Sequence, residues 1–391
     1  MPDVSIRGKA HIAGAFEHPR RDIPDRTVAE IHAEVALGAL ADAGLTPADV
    51  DAYFCAGDAP GLGPLGMADY LGLDVGHVDT TETGGSSYVL HVGHAAAAIA
   101  AGKAHVALVT LAGTPRNGGV QAGGGGGISG PEGEFENLWG AQIAAYYAMA
   151  ARRHMHEFGT TSAQLAEIKV AASVHAQHNP HAMLPNVVTV DEVLASPMVA
   201  DPLHRLDCCV ITDGGGALVV VSAEVARSLP RTTVSVLGSG SAVKHTAAGR
   251  VDLTATGAVR SGAVAFEEAG VTPADIDYAS IYDSFTITVL ETIEDLGFCA
   301  KGEGGRFVQD GGLVAPHGRL PFNTDGGGLC NNHPANRGGM TKVIEAVRQL
   351  RGEAHPAVQV PDCALALAHG TGGSLATRMG SATVILGRAD A

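Results

Sequence analysis

The chain has 391 residues, of which 46% are hydrophobic, 4% are aromatic and 53 are glycine, enough for two or more units with sizeable cores. Its 25 lysines and arginines against 41 aspartates and glutamates leave a formal net charge of −16, which argues against nucleic acid or an anionic membrane as a general partner. No signal peptide, no bilayer-spanning apolar run and no CxxC spacing among the six cysteines is apparent, which predicts a cytoplasmic protein with reduced thiols and no metal site.

The first hundred residues predict the alternating strands and helices of an α/β layer. Residues 4–14 predict a strand and a turn. Residues 27–43 predict an amphipathic helix that ends at Gly44, and residues 50–55 predict a short strand. Residues 105–110 predict a buried strand of the kind found in parallel sheets.

A helix with few large side chains is predicted between these strands, over residues 86–101, with Gly102 as its C-cap. Its many alanines allow neighbouring backbone to approach closely, so we expect it in the middle of the body. Gly84 and Gly85 precede it, and free N–H groups there, supported by the helix dipole, suit an oxyanion or a polarised carbonyl. The alternative is a tightly packed core helix preceded by a glycine turn.

The middle of the chain has a different character and predicts an insertion over residues 115–197. Residues 118–130 are dominated by glycine and predict a flexible loop. Residues 138–158 predict one long helix that holds Trp139 and Arg152. We expect this insertion to cover the first half, either over a ligand or as a dimer contact. A further helix is predicted in the insertion over 165–177, and a strand–turn–strand that returns to the first sheet is predicted after it, over 206–221.

A sequence repeat indicates that the chain contains two similar halves. Residues 39–51 read ALADAGLTPADVD, and residues 265–277 read AFEEAGVTPADID. Both place Thr-Pro-Ala-Asp after a glycine-ended helix and before a strand. We interpret this as an internal duplication, although a helix, a glycine, a turn and a strand in this order also recur by coincidence.

Three polar, glycine-rich loops are predicted after strands of the second half, where ligands bind in α/β proteins. Tyr282, His333 and His369 offer proton donors and acceptors there. A lone histidine is more often structural, but three such loops near a glycine-lined helix terminus predict an active site. The loops are residues 281–285, 323–334 and 368–373.

Several segments together make the chain similar to the thiolase superfamily, and over nearly its whole length to the sterol-carrier/lipid-transfer thiolase-like branch. They are Arg-Arg-His-Met (152–155), Asp-Pro-Leu-His-Arg-Leu-Asp-Cys-Cys (201–209), Thr-Asp-Gly (212–214), Tyr-Asp-Ser-Phe (282–285), Asn-Thr-Asp-Gly-Gly (323–327) and His-Pro (333–334). The resemblance implies an α/β fold of five layers, αβαβα, with two duplicated halves and an inserted loop domain. It also implies coenzyme A thioester substrates and a homodimer.

On this resemblance we divide the chain into three units. Residues 1–114 with 198–228 form the N-terminal thiolase-like half, residues 115–197 the inserted loop or lid domain, and residues 229–391 the C-terminal half.

The departures from the family indicate that covalent thiolysis is disabled. A thiolase takes the acyl group on a cysteine at the start of the central helix, and the matching position here is Gly85. The second thiolase cysteine is replaced around His369. Ser86 is adjacent to the empty position but has no local base, whereas the histidine of the Gly-His-Pro motif survives as His333 after Asn332.

A cysteine-free site with tyrosine in this loop resembles the thiolase-like aldolases of bacterial steroid side-chain degradation, in which a second tyrosine stands at the position of His333. These enzymes cleave a β-hydroxyacyl-CoA without a covalent intermediate, which implies no bound cofactor besides coenzyme A as part of the substrate. They work with a separate acyl-CoA-binding chain made of a zinc ribbon and an OB fold. The resulting predictions are catalytic Tyr282, His333 and His369; oxyanion groups at Gly84, Gly85 and Ser86; and substrate or CoA binding by Trp139, Arg152, Asn323 and Gly372.

Two other functions remain open. One is an acyltransferase that uses Ser86 or a distant cysteine such as Cys330 as the nucleophile. The other is a non-catalytic acyl-CoA or lipid carrier that keeps the fold without the chemistry. The residues do not assign acid and base between Tyr282 and His333.

Overall fold

The computed structural model describes residues 5–120, 133–139, 142–245, 250–334, 338–375 and 378–388. Strands in these ranges, β1 to β11, are Ala10–Glu17, Ala52–Phe54, His77–Asp79, Val106–Gly113, Met198–Ala200, Leu203–His204, Gly214–Ser222, Val234–Lys244, Tyr278–Ile281, Leu365–Gly373 and Met379–Arg388. Helices α1 to α13 are Val28–Ala43, Pro64–Leu71, Ser87–Ala100, Gly133–Glu136, Ile143–Phe158, Ser162–Ala176, Val190–Ala195, Ala223–Ser228, Ala258–Ala269, Thr286–Asp295, Gly304–Val308, Gly327–Cys330 and Gly339–Arg351. Short 3-10 helices include Pro47–Asp49, Gly84–Ser86, Asn137–Trp139, Arg205–Asp207 and Pro273–Asp275.

One nine-stranded sheet organises the molecule, in the order β3-β2-β4-β7-β1-β8-β11-β10-β9. On each side of the β1–β8 junction the same pattern recurs, because β4 and β10 each have one parallel and one antiparallel neighbour. The two halves meet through a short antiparallel pairing of His11 with Ser235 and of Ile12 with Val234. The predicted duplication is therefore confirmed by the topology.

The repeated sequence performs the same structural task in both halves. Its last aspartate, Asp51, accepts hydrogen bonds from the backbone N–H groups of His105 and Val106 at the start of β4. In the second half Asp277 accepts from Ala364 and Leu365 at the start of β10, each at 2.9 Å. Each aspartate thus connects the short strand that follows it, β2 or β9, to the strand that pairs with it in the sheet, β4 or β10.

Five layers result from the way the helices pack on this sheet. Helix α1 packs on β1, β4 and β7, and α9 packs on β8 and β11, while α3 and α13 contact strands of both halves. Helix α1, the first half of the sheet, α3 with α13, the second half of the sheet and α9 are therefore the five successive layers. The predicted α/β fold with αβαβα layers is confirmed. Close packing explains the small side chains of α3, since a Cβ at Gly93 would lie 2.9 Å from the Cβ of Ser239.

The inserted helices pack differently from the prediction. Helices α5 and α6 lie between β4 and β7 in the chain, but they do not pack only over the first half. Helix α6 packs on α7 and on α10, α11 and α12 of the second half, and α5 packs on α10 and on β5 and β6. Tyr147, Leu165 and Ile168 share a buried cluster there with Phe285 and Leu290. The boundaries of the three units stay predictions.

Several predicted elements have other bounds. Strand β1 begins at Ala10, not at residue 4, which lies outside the described residues, as do residues 121–130 of the glycine-rich loop. The helix predicted over 138–158 is a 3-10 turn that ends at Trp139 followed by α5 from Ile143. The first part of the segment predicted as strand–turn–strand over 206–221 is 3-10 helix. Among the described residues, no helix has the length and apolar character needed to cross a membrane.

Candidate active site

Tyr282 and His333 form the centre of the site. Tyr282 directly follows β9, and its backbone N–H donates to the carbonyl of His369 at 2.9 Å. His333 follows α12, and its Nε2 lies 2.8 Å from the phenol oxygen of Tyr282. The rings meet edge to face, with centroids 5.5 Å apart. Two residues 51 positions apart in the chain are thus in direct hydrogen-bond contact.

Burial keeps both members of this pair neutral. It lowers the pKa of His333 to about 4, an effect that Asp283 opposes and Lys342 reinforces. Burial also raises the pKa of Tyr282 well above its usual value, and Cys209 and Tyr147 raise it further. Near neutral pH the pair therefore holds a neutral imidazole and a protonated phenol. The phenol donates to Nε2 in the tautomer that carries the imidazole proton on Nδ1.

Gly85 lies against the ring of Tyr282. A Cβ built on Gly85 would lie 2.5 Å from both Cε2 and Cζ of that ring, and it would overlap the carbonyl oxygen of Thr371 even more closely. Non-bonded carbon atoms need well over 3 Å, so no side chain fits at position 85 beside this tyrosine. The phenol thus occupies the space that a cysteine side chain would need.

The predicted oxyanion groups lie in the turn before α3, and two of them have contacts that the prediction did not include. The N–H of Gly84 donates to Glu82 Oε1 at 2.7 Å, so it is already engaged. The hydroxyl of Ser86 donates to the carbonyl of Thr83 at 2.9 Å and is fully buried, so it stabilises the turn and is not presented as a nucleophile. The backbone N–H groups of Gly85 and Ser86, at the positive end of α3, stay the predicted oxyanion donors.

Gly372 packs on the same turn. A Cβ there would lie 2.7 Å from the backbone nitrogen of Gly85 and would overlap the carbonyl of Thr83. The segment predicted as a loop over 368–373 is in fact the C-terminal part of β10. Glycine is disfavoured in strands, but here it allows the strand to lie directly on the turn.

The prediction that His369 is catalytic does not fit its position. Side chains alternate along β10, and Gly370 and Gly372 take the face toward the turn before α3. The imidazole of His369 points to the opposite face, where Nδ1 lies 2.8 Å from Thr383 Oγ1 and Nε2 lies 3.2 Å from Ser381 Oγ. Burial lowers its pKa to about 3. His369 contributes its backbone carbonyl to the site and not its side chain.

Asn323 also has a different role from the predicted one. Its side-chain Oδ1 accepts from the N–H of Ile281, and its Nδ2 donates to the carbonyl of the same residue, both at 2.8 Å. The amide is therefore consumed in fixing the end of β9, one residue before Tyr282. Its φ of 40° is in the left-handed region that asparagine tolerates.

The two side chains predicted to bind substrate from the insertion lie apart from this centre. Arg152 is on the exposed side of α5, where it forms an ion pair with Asp201 at 3.2 Å. Trp139 is 86% exposed. Their roles in CoA binding stay predictions. Within the described ranges, no group of three or more His, Cys, Asp or Glu side chains has an arrangement suited to a metal ion.

Four further residues at the site were not predicted from the sequence. Asp283 is buried and forms an ion pair with Lys342 of α13 at 2.8 Å. Tyr147 packs on Phe285 with ring centroids 4.2 Å apart, and its hydroxyl donates to the carbonyl of Gly373 at 3.3 Å. Cys209 is partly exposed, and its N–H donates to the carbonyl of Ser284. Asp283 belongs to the Tyr-Asp-Ser-Phe segment, whereas no sequence signal singles out Lys342 or Tyr147.

Comparison with known proteins gives consistent matches over most of the chain. Residues 240–388 match the family described as thiolase C-terminal domain-like. An acetyl-CoA acetyltransferase of Methanothermobacter thermautotrophicus is 36% identical over 97% of this chain and 99% of its own length. A steroid side-chain-cleaving aldolase of Thermomonospora curvata is 35% identical over 89% of this chain and 91% of its own.

A solved structure described as an Ltp2-ChsH2(DUF35) aldolase superposes with a TM-score of 0.88 and 32% identity. It covers 98% of this chain and 99% of that one.

Proposed function

This chain belongs to the thiolase superfamily, and from that premise we propose that it is a thiolase-like acyl-CoA aldolase that cleaves a bulky β-hydroxyacyl-CoA by a non-covalent retro-aldol reaction. The observation that carries the proposal is the overlap at Gly85, because the ring of Tyr282 excludes a nucleophilic side chain from that position. Relatives named as a steroid side-chain-cleaving aldolase and as an Ltp2-ChsH2(DUF35) aldolase support the same reaction class.

The Tyr282–His333 pair suits the first proton transfer. The β-hydroxyl group gives its proton to the phenol oxygen of Tyr282 while the phenol proton passes to Nε2 of His333. The concerted transfer avoids a free phenolate, which burial disfavours at Tyr282. The transient imidazolium on His333 is disfavoured by burial too, and the carboxylate of Asp283 is the group that favours it. The electrons of the O–H bond form the new carbonyl group, and the bond between Cα and Cβ breaks.

The electron pair of the broken bond passes to the thioester as an enolate. We assign its stabilisation to the backbone N–H groups of Gly85 and Ser86 at the N-terminal end of α3. The proton held by the pair then returns to Cα. The products are a ketone or aldehyde and a shortened acyl-CoA, so the reaction balances with no oxidant, reductant or bound cofactor.

An acyltransferase is the second candidate, because one relative is named acetyl-CoA acetyltransferase. The geometry of the two nucleophiles named for it weighs against this function. The hydroxyl of Ser86 is bound to Thr83. Cys330 is buried and Lys169 Nζ donates to its sulfur at 3.1 Å; burial raises the pKa of this thiol although Lys169 opposes the shift. A non-catalytic carrier is disfavoured by the preserved pair of proton-transfer groups.

We also propose a separate partner chain, on the likeness to the Ltp2-ChsH2(DUF35) aldolase. Three large apolar side chains support such a contact, namely Phe135, Leu138 and Trp139, which are 74%, 83% and 86% exposed. Arg378 donates two hydrogen bonds to the carboxylate of Glu136, at 3.0 and 2.7 Å, and these hold the segment that carries the three side chains. Trp139→Ala should weaken either partner binding or CoA binding, and calorimetry with each separately distinguishes the two.

A homodimer and a cytoplasmic location complete the proposal. Strand β3 is at the edge of the sheet, where a second copy of the chain can extend the sheet with a further strand. Its Val78 is 47% exposed. The exposed Leu62, Leu65 and Tyr70 lie in or next to α2, which precedes that strand. All six cysteines are unpaired, which fits a reducing compartment.

Product analysis by mass spectrometry tests the reaction. One assay offers a tertiary β-hydroxyacyl-CoA, and a parallel assay offers a β-ketoacyl-CoA with free CoA, each with and without a zinc-ribbon/OB partner chain. A ketone and a shorter acyl-CoA from the first assay alone support the aldolase. Shortened acyl-CoA from the second, with an acyl adduct on the protein, favours the acyltransferase. Tight ligand binding without either product leaves the carrier.

A further inference from the structure

An ion pair lies directly behind the Tyr282–His333 pair and is fully enclosed by protein. Lys342 Nζ and Asp283 Oδ1 are 2.8 Å apart, with side-chain exposures of 1% and 0%. The carboxylate also accepts from the backbone N–H groups of Gly328 at 2.8 Å and Leu329 at 3.0 Å. Lysine is rarely buried to this degree, so a partner and a function are both to be expected.

The contacts of this ion pair connect the elements that carry the site. Asp283 follows Tyr282 directly in the chain. Its carboxylate oxygens accept hydrogen bonds from the backbone of α12, the short helix that precedes His333. Lys342 belongs to α13, whose first residue, Gly339, packs so closely on the carbonyl of Gly85 that a Cβ would overlap it. The end of β9, the segment from α12 to His333, and helix α13 beside the turn before α3 therefore meet at one buried ion pair.

We propose that Lys342 is a positioning residue for the reaction. It acts through Asp283 to hold α12 and the residues from α12 to His333 against Tyr282, and it cancels the negative charge of the Asp283 carboxylate beside the imidazole. This inference rests on the proposed retro-aldol function, since it assigns the support of the same pair of residues. Lys342 touches neither substrate nor the reacting atoms in this assignment.

Charge cancellation matters because the surroundings have a low dielectric constant. The carboxylate of Asp283 by itself favours the protonated, charged imidazole, and the ammonium of Lys342 opposes it. Although burial by itself favours the neutral amine, Asp283 and Asp325 outweigh it and raise the pKa of Lys342, so the lysine stays charged. The titratable groups around the Tyr282–His333 pair and the ion pair behind it are Asp283, Lys342, Asp325, Cys209, Tyr147 and, through Asn332, Glu17.

An NMR titration of ¹³C-labelled histidine in the full chain tests the electrostatic part, with the His333 signal assigned by His333→Gln. In Lys342→Met the charge of Asp283 is no longer cancelled, so the pKa of His333 should rise by at least about one unit. Asp283→Asn should not raise it, and Asp283→Asn with Lys342→Gln should restore it to within about half a unit. Lys301→Met removes another lysine paired with an aspartate, Asp295 at 2.6 Å, and should leave His333 unchanged.

A pH profile of kcat provides the second reading. The acid limb of Lys342→Met should move upward with the NMR value. On the plateau above it kcat should fall more than KM changes, because α12 and His333 are no longer held against Tyr282 through Asp283. An unchanged His333 titration in Lys342→Met, or a rise of the same size in Asp283→Asn, would overturn the proposal. If Lys342→Met does not fold by circular dichroism, Lys342→Gln is titrated in its place. The titration needs no turnover, so its result is separable from failure of the lyase reaction.

Discussion

The phenol oxygen of Tyr282 and Nε2 of His333 are 2.8 Å apart, and the ring that carries this oxygen fills the space next to Gly85. One side chain thereby performs two tasks. It offers a proton path to a neutral imidazole, and it excludes the nucleophile that covalent chemistry would require. This arrangement supports the proposed reaction, in which protons pass to and from a substrate that is never attached to the protein.

Replacement of the phenol oxygen tests the proton path. Tyr282→Phe keeps the ring against Gly85 but removes the group that links substrate to His333, so kcat of the lyase should fall by about 10²-fold or more. The matched control is Tyr53→Phe, a buried tyrosine whose hydroxyl bonds to Thr110 at 2.7 Å. That change should lower stability by about 1 kcal/mol and leave kcat unaltered. Equal activities in both variants would remove Tyr282 from the mechanism.

A methyl group at position 85 tests the steric relationship. Gly85→Ala forces its Cβ into the ring of Tyr282 and the carbonyl of Thr371, so the free energy of unfolding should fall by about 1–3 kcal/mol and lyase activity should drop sharply. Gly76→Ala is the control, because nothing lies within 4 Å of its Cβ position. Urea unfolding and steady-state kinetics measure both effects. Full activity in Gly85→Ala would contradict the overlap.

His369→Gln separates structural from catalytic histidines. Its imidazole bonds to Thr383 and Ser381 on the face opposite the site, so the change should lower the melting temperature while kcat stays within about threefold of the native value, since a lost buried hydrogen bond acts mainly on stability. Thermal unfolding and kinetics are recorded on the same preparations. A loss of kcat as large as that of Tyr282→Phe would mean that His369 acts in the reaction.

Stability should decrease at acid pH through the buried histidines. Burial lowers the pKa of His32, His91 and His175 to about 4, so each binds a proton more readily after unfolding. Their contribution is complete above pH 6.5, the unfolded value, and is lost progressively as the pH falls toward 4. Urea unfolding at several pH values should show this loss.

The histidine best suited to isolate the effect is His91, because its side chain is fully buried and its ring nitrogens have no well-formed hydrogen bond, only a weaker interaction with the backbone of Thr81 that raises its pKa. His91→Leu should therefore be at least as stable as the native protein at pH 7, and its stability should fall less steeply between pH 6.5 and 4. The exposed His181→Leu should leave the slope unaltered. A steeper slope in His91→Leu would show that the imidazole stabilises the fold at low pH.

The fold was predictable where local signals and the repeat agree. Glycine caps fixed the end of α1, and the repeated Thr-Pro-Ala-Asp segment identified the two halves. The error at 368–373 has a specific cause: consecutive glycines favour a loop by propensity, but packing of β10 on Thr83 and Gly85 requires residues without side chains in a strand. Tertiary packing, which a single sequence does not display, decided that element.

The site was predictable in part. Tyr282 and His333 each follow a strand or glycine turn, and such positions are where polar groups converge in α/β proteins. The direction of the His369 side chain depends on strand register, which a wrong loop assignment hides. Lys342 lies 59 residues from Asp283 and looks like any surface lysine of an amphipathic helix until its burial is known.

The overlap at Gly85 also limits how such a protein can change its chemistry. A Cβ on residue 85 overlaps both the ring of Tyr282 and the carbonyl oxygen of Thr371, so a sequence that carries a thiol at 85 together with this tyrosine must distort the site. A path from a thiolase to this site therefore has an order: loss of the cysteine first leaves a cavity, which a fold survives at moderate cost, and arrival of the tyrosine then fills it. Arrival of the tyrosine before loss of the cysteine passes through an overpacked core, so the two chemistries are connected only through a sequence that carries neither side chain.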